Sequence, residues 1–197
     1  LSVYVTRFLT EARDAGNAVP SALLEGARNR MRQMARGTTR QLDEAAIQAA
    51  AIYLLTRQGE NTSTFVLNLR DSLRQQHQEA WRNHLVAAYL AGTYALLQQR
   101  PEAVALMQTY WNEVRKGRGR AAGGWHGGYH LDPQVSQAEG FALACRHFPE
   151  LAGNFGHDDL SIITEPLARN RFNTISAATT VLALKAYSEL AKQSDWD

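Results

Sequence analysis

Apolar residues recur at helical spacing along the whole chain, and the helices this defines come in pairs that repeat about every 40 residues. The first members of the pairs begin near residues 1, 41, 81, 132 and 173. Their sequences echo one another: Ala51-Ile52-Tyr53-Leu54-Leu55, Ala88-Tyr89-Leu90-Ala91, Gly140-Phe141-Ala142-Leu143-Ala144 and Thr180-Val181-Leu182-Ala183-Leu184. These first members are rich in Ala and apolar on most sides, whereas partners such as Phe65 to Gln78 carry charge on one face. A helix apolar all round has to be buried, and a one-sided helix has to cover it. An inner row of helices backed by an outer row satisfies both demands. The expected fold is therefore all-α, an α/α toroid of paired inner and outer helices. Because such a ring usually closes with about six pairs and this chain supplies about four and a half, the expectation is a partial ring of roughly nine helices. A right-handed helical solenoid is the alternative, and shape distinguishes them: a closed or nearly closed ring against an open superhelix.

Glycine, proline and capping residues punctuate the pattern. The first helix runs to about Ala15 and stops at Gly16. Ser21 follows Pro20 and introduces a second that stops at Gly37. Thr38 and Thr39 offer N-caps for a third ending at Gly59, and Asn61-Thr62 leads into a fourth. A fifth is expected from about Trp81 to Leu97, and Pro101 and Pro133 sit where two more begin. Asp158 or Asp159 caps the segment that Pro166 ends or kinks, and Asn173 to about Ala191 forms the last helix. Gly117 to Asp132, rich in Gly and Arg, interrupts the periodicity.

The 197 residues are 45% apolar and 20% charged, enough for one core, so residues 1–197 are expected to form a single helical domain. A formal charge of +2 gives no field that would draw the chain to nucleic acid or a membrane surface. The apolar run Ala49 to Leu55 is far too short to span a bilayer, so no direct membrane insertion of this segment is expected. The chain opens on Leu1, already in the middle of an amphipathic helix, and the expectation is that an internal piece of a longer protein is represented. One cysteine, Cys145, excludes an intrachain disulfide framework and a multi-cysteine metal site.

Three stretches resemble bacterial alpha-2-macroglobulins, in the order and spacing of that family's ring domain. They are Tyr53-Leu54-Leu55-Thr56-Arg57-Gln58-Gly59-Glu60, the run from Asp132-Pro133-Gln134-Val135 to Arg146-His147-Phe148-Pro149, and Arg171-Phe172-Asn173-Thr174-Ile175-Ser176-Ala177-Ala178. The resemblance covers essentially the whole chain. It implies a fragment of a thioester-type, complement-like helical domain, within a large periplasmic protease trap often anchored to the inner membrane by lipid. Its partners would be target proteases, reached through the full-length protein, and the other domains of the same chain. In many members an internal thioester, made from the Cys and Gln of a Cys-x-Glu-Gln motif near the start of this domain, captures a lysine amine of the protease. That motif is absent here: Cys145 is followed by Arg146-His147-Phe148.

In thioester-bearing members aromatic residues help keep water from the bond. Tyr129, approaching Asp132-Pro133, matches that feature, with Trp125 as its companion, although His130 and Leu131 stand between the tyrosine and Asp132. The plain alternative is that both aromatics pin a loop to the ring. No cofactor or catalytic residue is assigned. His126, His130 and Asp132 as a zinc site lack a regular helix, a further ligand and an outer shell. The basic run Arg115-Lys116-Gly117-Arg118-Gly119-Arg120 reads as a solvated loop after a helix whose terminal cations suit its dipole. Cys145 lies on the stripe with Ala138, Phe141 and Ala142 and is expected in the core.

A non-enzymatic scaffold inside a protease trap is thus the leading expectation, with enzymes on the same architecture as the competing class. A terpene cyclase needs a clustered acid motif, against which His157-Asp158-Asp159-Leu160 offers two adjacent acids. A prenyltransferase-like zinc site would need Asp132, Cys145 and His147 together. A glycosidase would need two carboxylates facing a cleft, and the Ala-rich helices carry mainly Asp43, Glu44 and Glu139. A helical-solenoid protein-interaction module is the third class.

Overall fold

The computed structural model describes residues 2–117 and 132–194, with side chains to residue 192. Among them are ten α-helices and no strand: α1 (Ser2–Asp14), α2 (Ser21–Ala35), α3 (Leu42–Arg57), α4 (Ser63–His77), α5 (Leu85–Leu96), α6 (Arg100–Arg115), α7 (Pro133–His147), α8 (Pro149–Ala152), α9 (His157–Ala168) and α10 (Thr174–Ser194). A 3₁₀ turn, Ala80–Asn83, precedes α5. No helix among the described residues is long and apolar enough to cross a membrane.

The Ala-rich helices form the inner row. Every residue of α5 from Leu85 to Tyr94 is buried, and α3 and α7 are buried around most of their circumference. Helices α3, α5, α7 and α10 lie side by side in that order, with α4 against α3, α6 against α5 and α9 against α7 and α10. The backing helices bury one stripe, Val66, Leu69 and Leu73 in α4 and Ala103, Leu106, Met107, Tyr110, Trp111 and Val114 in α6. Helices α1 and α2 pack on each other and on α3 at the far end of the row. The row is curved, because α1 also reaches α7 through the side chains of Arg7 and Glu11. One continuous buried core joins these layers. At the two ends of the row it thins out: Phe8 of α1 is 65% exposed and Val181 of α10 is 61% exposed.

Close packing between rows depends on small residues. A Cβ on Gly140 of α7 would lie 2.4 Å from Cε1 of Tyr110, so α6 can approach α7 only because that position is glycine. At Gly16 and Gly59 the backbone takes φ of +81° and +86°, the left-handed conformation that ends α1 and α3 as expected.

Several local expectations are corrected. Pro149 opens a short extra turn that the sequence did not mark, α8, whose Ala152 is buried, which brings the described residues to ten helices beside the roughly nine expected. The fifth helix starts at Leu85 and not near Trp81, since His84 is its cap: its Nδ1 accepts from Val86 N at 3.4 Å while Nε2 lies 3.0 Å from Asp43 Oδ1. Thr38 and Thr39 do not cap α3, whose N-cap is Gln41 without a side-chain bond; the Thr39 hydroxyl faces Gln48 Oε1 instead. The expectation for Asp158 or Asp159 resolves on Asp159, the third residue of α9, whose Oδ2 accepts from Gly156 N at 3.0 Å. Pro166 falls in the last turn of α9.

Candidate functional site

A helix buried on all sides can carry a charge only if that charge is matched. Three inner helices break their apolar surface where they meet α1, and they do so together. On α1, Arg7 and Glu11 stand one turn apart and point the same way. Arg7 Nη1 pairs with Glu139 Oε1 of α7, and Glu139 Oε2 accepts from the Tyr89 hydroxyl of α5 at 3.0 Å. One turn on, Glu11 Oε1 accepts from Arg57 Nη1 of α3 at 2.6 Å and from Arg146 Nη1 of α7 at 2.8 Å. Arg57 also donates to Asp14 Oδ2 at 2.5 Å, and the Tyr53 hydroxyl lies 2.8 Å from His147 Nε2. Helix α1 and three inner-row helices are thereby bolted by one polar seam.

The electrostatics follow from this geometry. Burial raises the Glu11 carboxyl, but the hydrogen bond from Arg57 and the Arg146 charge outweigh it and hold its pKa at about 2. Burial drives the His147 pKa down to about 3, helped by the charges of Arg146, Arg57 and Arg100, so its ring is neutral at physiological pH. The Tyr89 hydroxyl is pushed up to about 12 by burial and stays a donor to Glu139. Glu11 and His147 are thus held far below neutrality and Tyr89 far above it. The arrangement fixes helices in register.

A second buried cluster ties α9 to α6. Asp159 Oδ1 accepts from Trp111 Nε1 at 2.9 Å and from Arg115 Nε at 2.7 Å, while Oδ2 accepts from Arg115 Nη2 at 2.9 Å. Burial works against that carboxylate, yet the Arg115 and Trp111 bonds hold its pKa below the ordinary value. Of the expected basic run, Arg115 is therefore committed to Asp159 and Lys116 to Glu113 at 2.9 Å.

The residues that the enzyme classes would need are not brought together. Asp43 faces His84, Glu44 accepts from the Arg40 backbone N–H, and Glu139 is held by Arg7 and Tyr89. Asp132 caps α7, accepting from Gln134 N at 2.9 Å, whereas Cys145 and His147 lie at its other end, about 20 Å away at 1.5 Å per residue. Cys145 is buried, and burial pushes its thiol up to about 12, far from a reactive thiolate. Tyr129, Trp125, His126 and His130 lie outside the described residues.

Sequence reasoning missed the seam, although its signals were present. Glu139 is the one acidic residue of α7, and Arg7 and Glu11 follow the buried Thr6 and Thr10 on α1. Such charges imply buried partners; which partners they take depends on the tertiary contacts.

The described residues thus form an all-α double row of helices joined by a buried ionic seam. Comparison with known proteins makes its family specific. The chain is 36% identical over 193 residues, 98% of its length, to an alpha-2-macroglobulin homolog of Yersinia pestis. It is 27% identical over 197 residues to an alpha-2-macroglobulin of Rickettsia conorii, and 28% identical over 202 residues to one of Pasteurella multocida, with 99% and 96% of the chain covered. The chain belongs to the bacterial alpha-2-macroglobulin family. It spans about a tenth of the length of the curated relatives it matches. No protein-family model and no solved structure matches it.

Proposed function

We propose that this chain is part of the thioester-type domain of a periplasmic bacterial alpha-2-macroglobulin, and that it serves a protease trap as a rigid, non-catalytic scaffold. The observation that carries this reading is the match to three alpha-2-macroglobulins over almost the whole chain, which spans about a tenth of the length of each. The curved inner and outer rows support an α/α toroid, completed by sequence beyond these residues. The seam of Arg7, Glu11, Arg57, Glu139 and Arg146 supports the scaffold role, because its ion pairs lock α1 to the inner helices.

In this reading the target proteases are partners of the full-length protein, and the covalent chemistry, where the parent has it, belongs to a Cys-x-Glu-Gln motif elsewhere in that chain. Tyr129, with Trp125, shields the thioester from water. Methylamine treatment of the full-length protein, read by intact mass with a free-thiol titration, tests the thioester. Uptake of one methylamine with release of one thiol would make this segment part of a covalent trap. No uptake removes the covalent part of the proposal and leaves a steric module. In a thioester-positive parent, Tyr129→Ala should speed spontaneous loss of the thioester in water, and an unchanged rate would remove the shielding role.

A further inference from the structure

A cavity of about 280 Å³ opens between α1, α2, α3, α5, α7 and α10, near the N-terminal ends of the inner helices. Its walls are aliphatic: Val3, Met34, Ile47, Leu85, Val135 and Ile175. Val3, Met34, Ile47 and Ile175 are only half-buried, so apolar side chains of the inner layer are left wet beside this space. One wall is polar, formed by Arg7, Glu139 and Tyr89, which satisfy one another. Arg30 of α2 also lines the cavity and is exposed.

Arg30 differs from its neighbours. Arg28 and Arg32 are both engaged with Glu25 and Glu60, whereas Arg30 donates only to the neutral Gln33 Oε1 at 3.1 Å. No carboxylate among the described residues pairs with it. The lining thus combines an aliphatic chamber with one uncompensated guanidinium, the pairing of chemistries that recognises a molecule with an apolar body and an anionic end. Since Arg7 and Glu139 cancel each other, the charge presented to a ligand is the single positive charge of Arg30. The volume sits at the low end for small-molecule sites, which limits the apolar body to one chain of medium length.

We infer that this cavity is a binding site for a single-chain aliphatic anion, its chain among Ile47, Val135 and Ile175 and its head group on Arg30. A free aliphatic carboxylate and a lysophospholipid with an anionic head share that chemistry.

Photolabelling of the full-length protein by a diazirine-bearing decanoic acid, with peptide mapping of the labelled residues, tests the site. Labels are expected on peptides from α1, α2, α7 and α10 that line the cavity, with saturation as the probe concentration rises. Unlabelled decanoate should compete and decanol should compete far more weakly. Arg30→Glu, an exposed change that leaves the core intact, should lower cavity labelling about tenfold, as expected for loss of a charge-assisted hydrogen bond and its reversal to repulsion. Ile47→Trp, which fills the chamber, should abolish it while the helical circular dichroism is retained. Stronger competition by a lysophosphatidylglycerol than by decanoate would make the lysolipid the ligand; the reverse order would make it the free acid. Labels scattered outside the cavity, no labelling because the protein's own chain fills the space, or labelling unchanged by Arg30→Glu would each overturn the inference.

Discussion

Gly140→Ala is the substitution that most sharply probes how the inner and outer rows pack. Carbon atoms in contact sit about 3.5–4.0 Å apart. A Cβ at position 140 would lie 2.4 Å from Tyr110 Cε1, 2.7 Å from its hydroxyl oxygen and 2.9 Å from Cζ. The overlap exceeds 1 Å, and it falls on a ring that cannot swing aside. Tyr110 is completely buried and its hydroxyl donates to the Ser136 carbonyl at 3.1 Å. Relief would require α6 to move off α7. Overpacking of this kind costs about 1–3 kcal/mol, and an overlap on a fixed ring belongs at the upper end. Against it stands a gain of about 1 kcal/mol from replacing glycine by alanine inside a helix. The net expectation is a loss of about 2 kcal/mol, or about 4–8 °C in Tm for a chain of this size. Urea denaturation followed by far-ultraviolet circular dichroism measures it. Gly26→Ala is the matched control: it lies within α2, has no atom within 4 Å of the new Cβ, and should stabilise by about 0.5–1 kcal/mol. In a Tyr110→Ala background the sign should reverse, so that Gly140→Ala becomes stabilising. A Gly140→Ala variant as stable as the unmodified protein, or equal shifts for both glycines, would refute the packing argument.

Three further outcomes follow from the buried polar groups. Stability should fall on acidification below the ordinary histidine value of 6.5: the unfolded state takes up a proton there, whereas folded His147 does not until about pH 3. The loss between pH 7 and pH 5 should be about 2 kcal/mol, and His147→Asn should flatten it; a second loss, from Glu11, should appear between pH 4.5 and 2. Asp159→Ala should cost about 3 kcal/mol in denaturant titrations, because it strands the buried Trp111 Nε1 and frees Arg115, while Asp158→Ala, on the exposed side of the same turn, should change little. Cys145 should resist a thiol reagent at neutral pH in the folded protein and react at once in denaturant; prompt labelling under native conditions would contradict its burial.

Much of the architecture was legible in the sequence because burial imposes composition. The all-round apolar character of Leu85 to Tyr94 dictated an inner helix, and the one-sided stripe of Val66, Leu69 and Leu73 a covering helix. Stops at Gly16 and Gly59 were readable because few residues but glycine enter the left-handed conformation without cost. What was not legible depends on tertiary contacts. His84 reads as an ordinary polar residue until Asp43, 41 positions earlier, is placed beside it, and only then does it become the cap that delays α5. The seam is harder still. Glu11 and Arg146 are 135 residues apart, and nothing local to either reveals that α1 folds back across α7. Gly140 looks like one more small residue in an Ala-rich helix until Tyr110 is packed against it.

The central proposal is that this chain is the scaffold of a protease trap, and a two-substrate assay of the full-length protein tests it most directly. The protein would be incubated with trypsin in stoichiometric excess, and residual activity read on casein and on a small chromogenic peptide in parallel. A trap encloses the protease without blocking its active site, so cleavage of casein should fall steeply while cleavage of the small peptide persists. Equal loss of both activities, or no loss of either, would contradict the account.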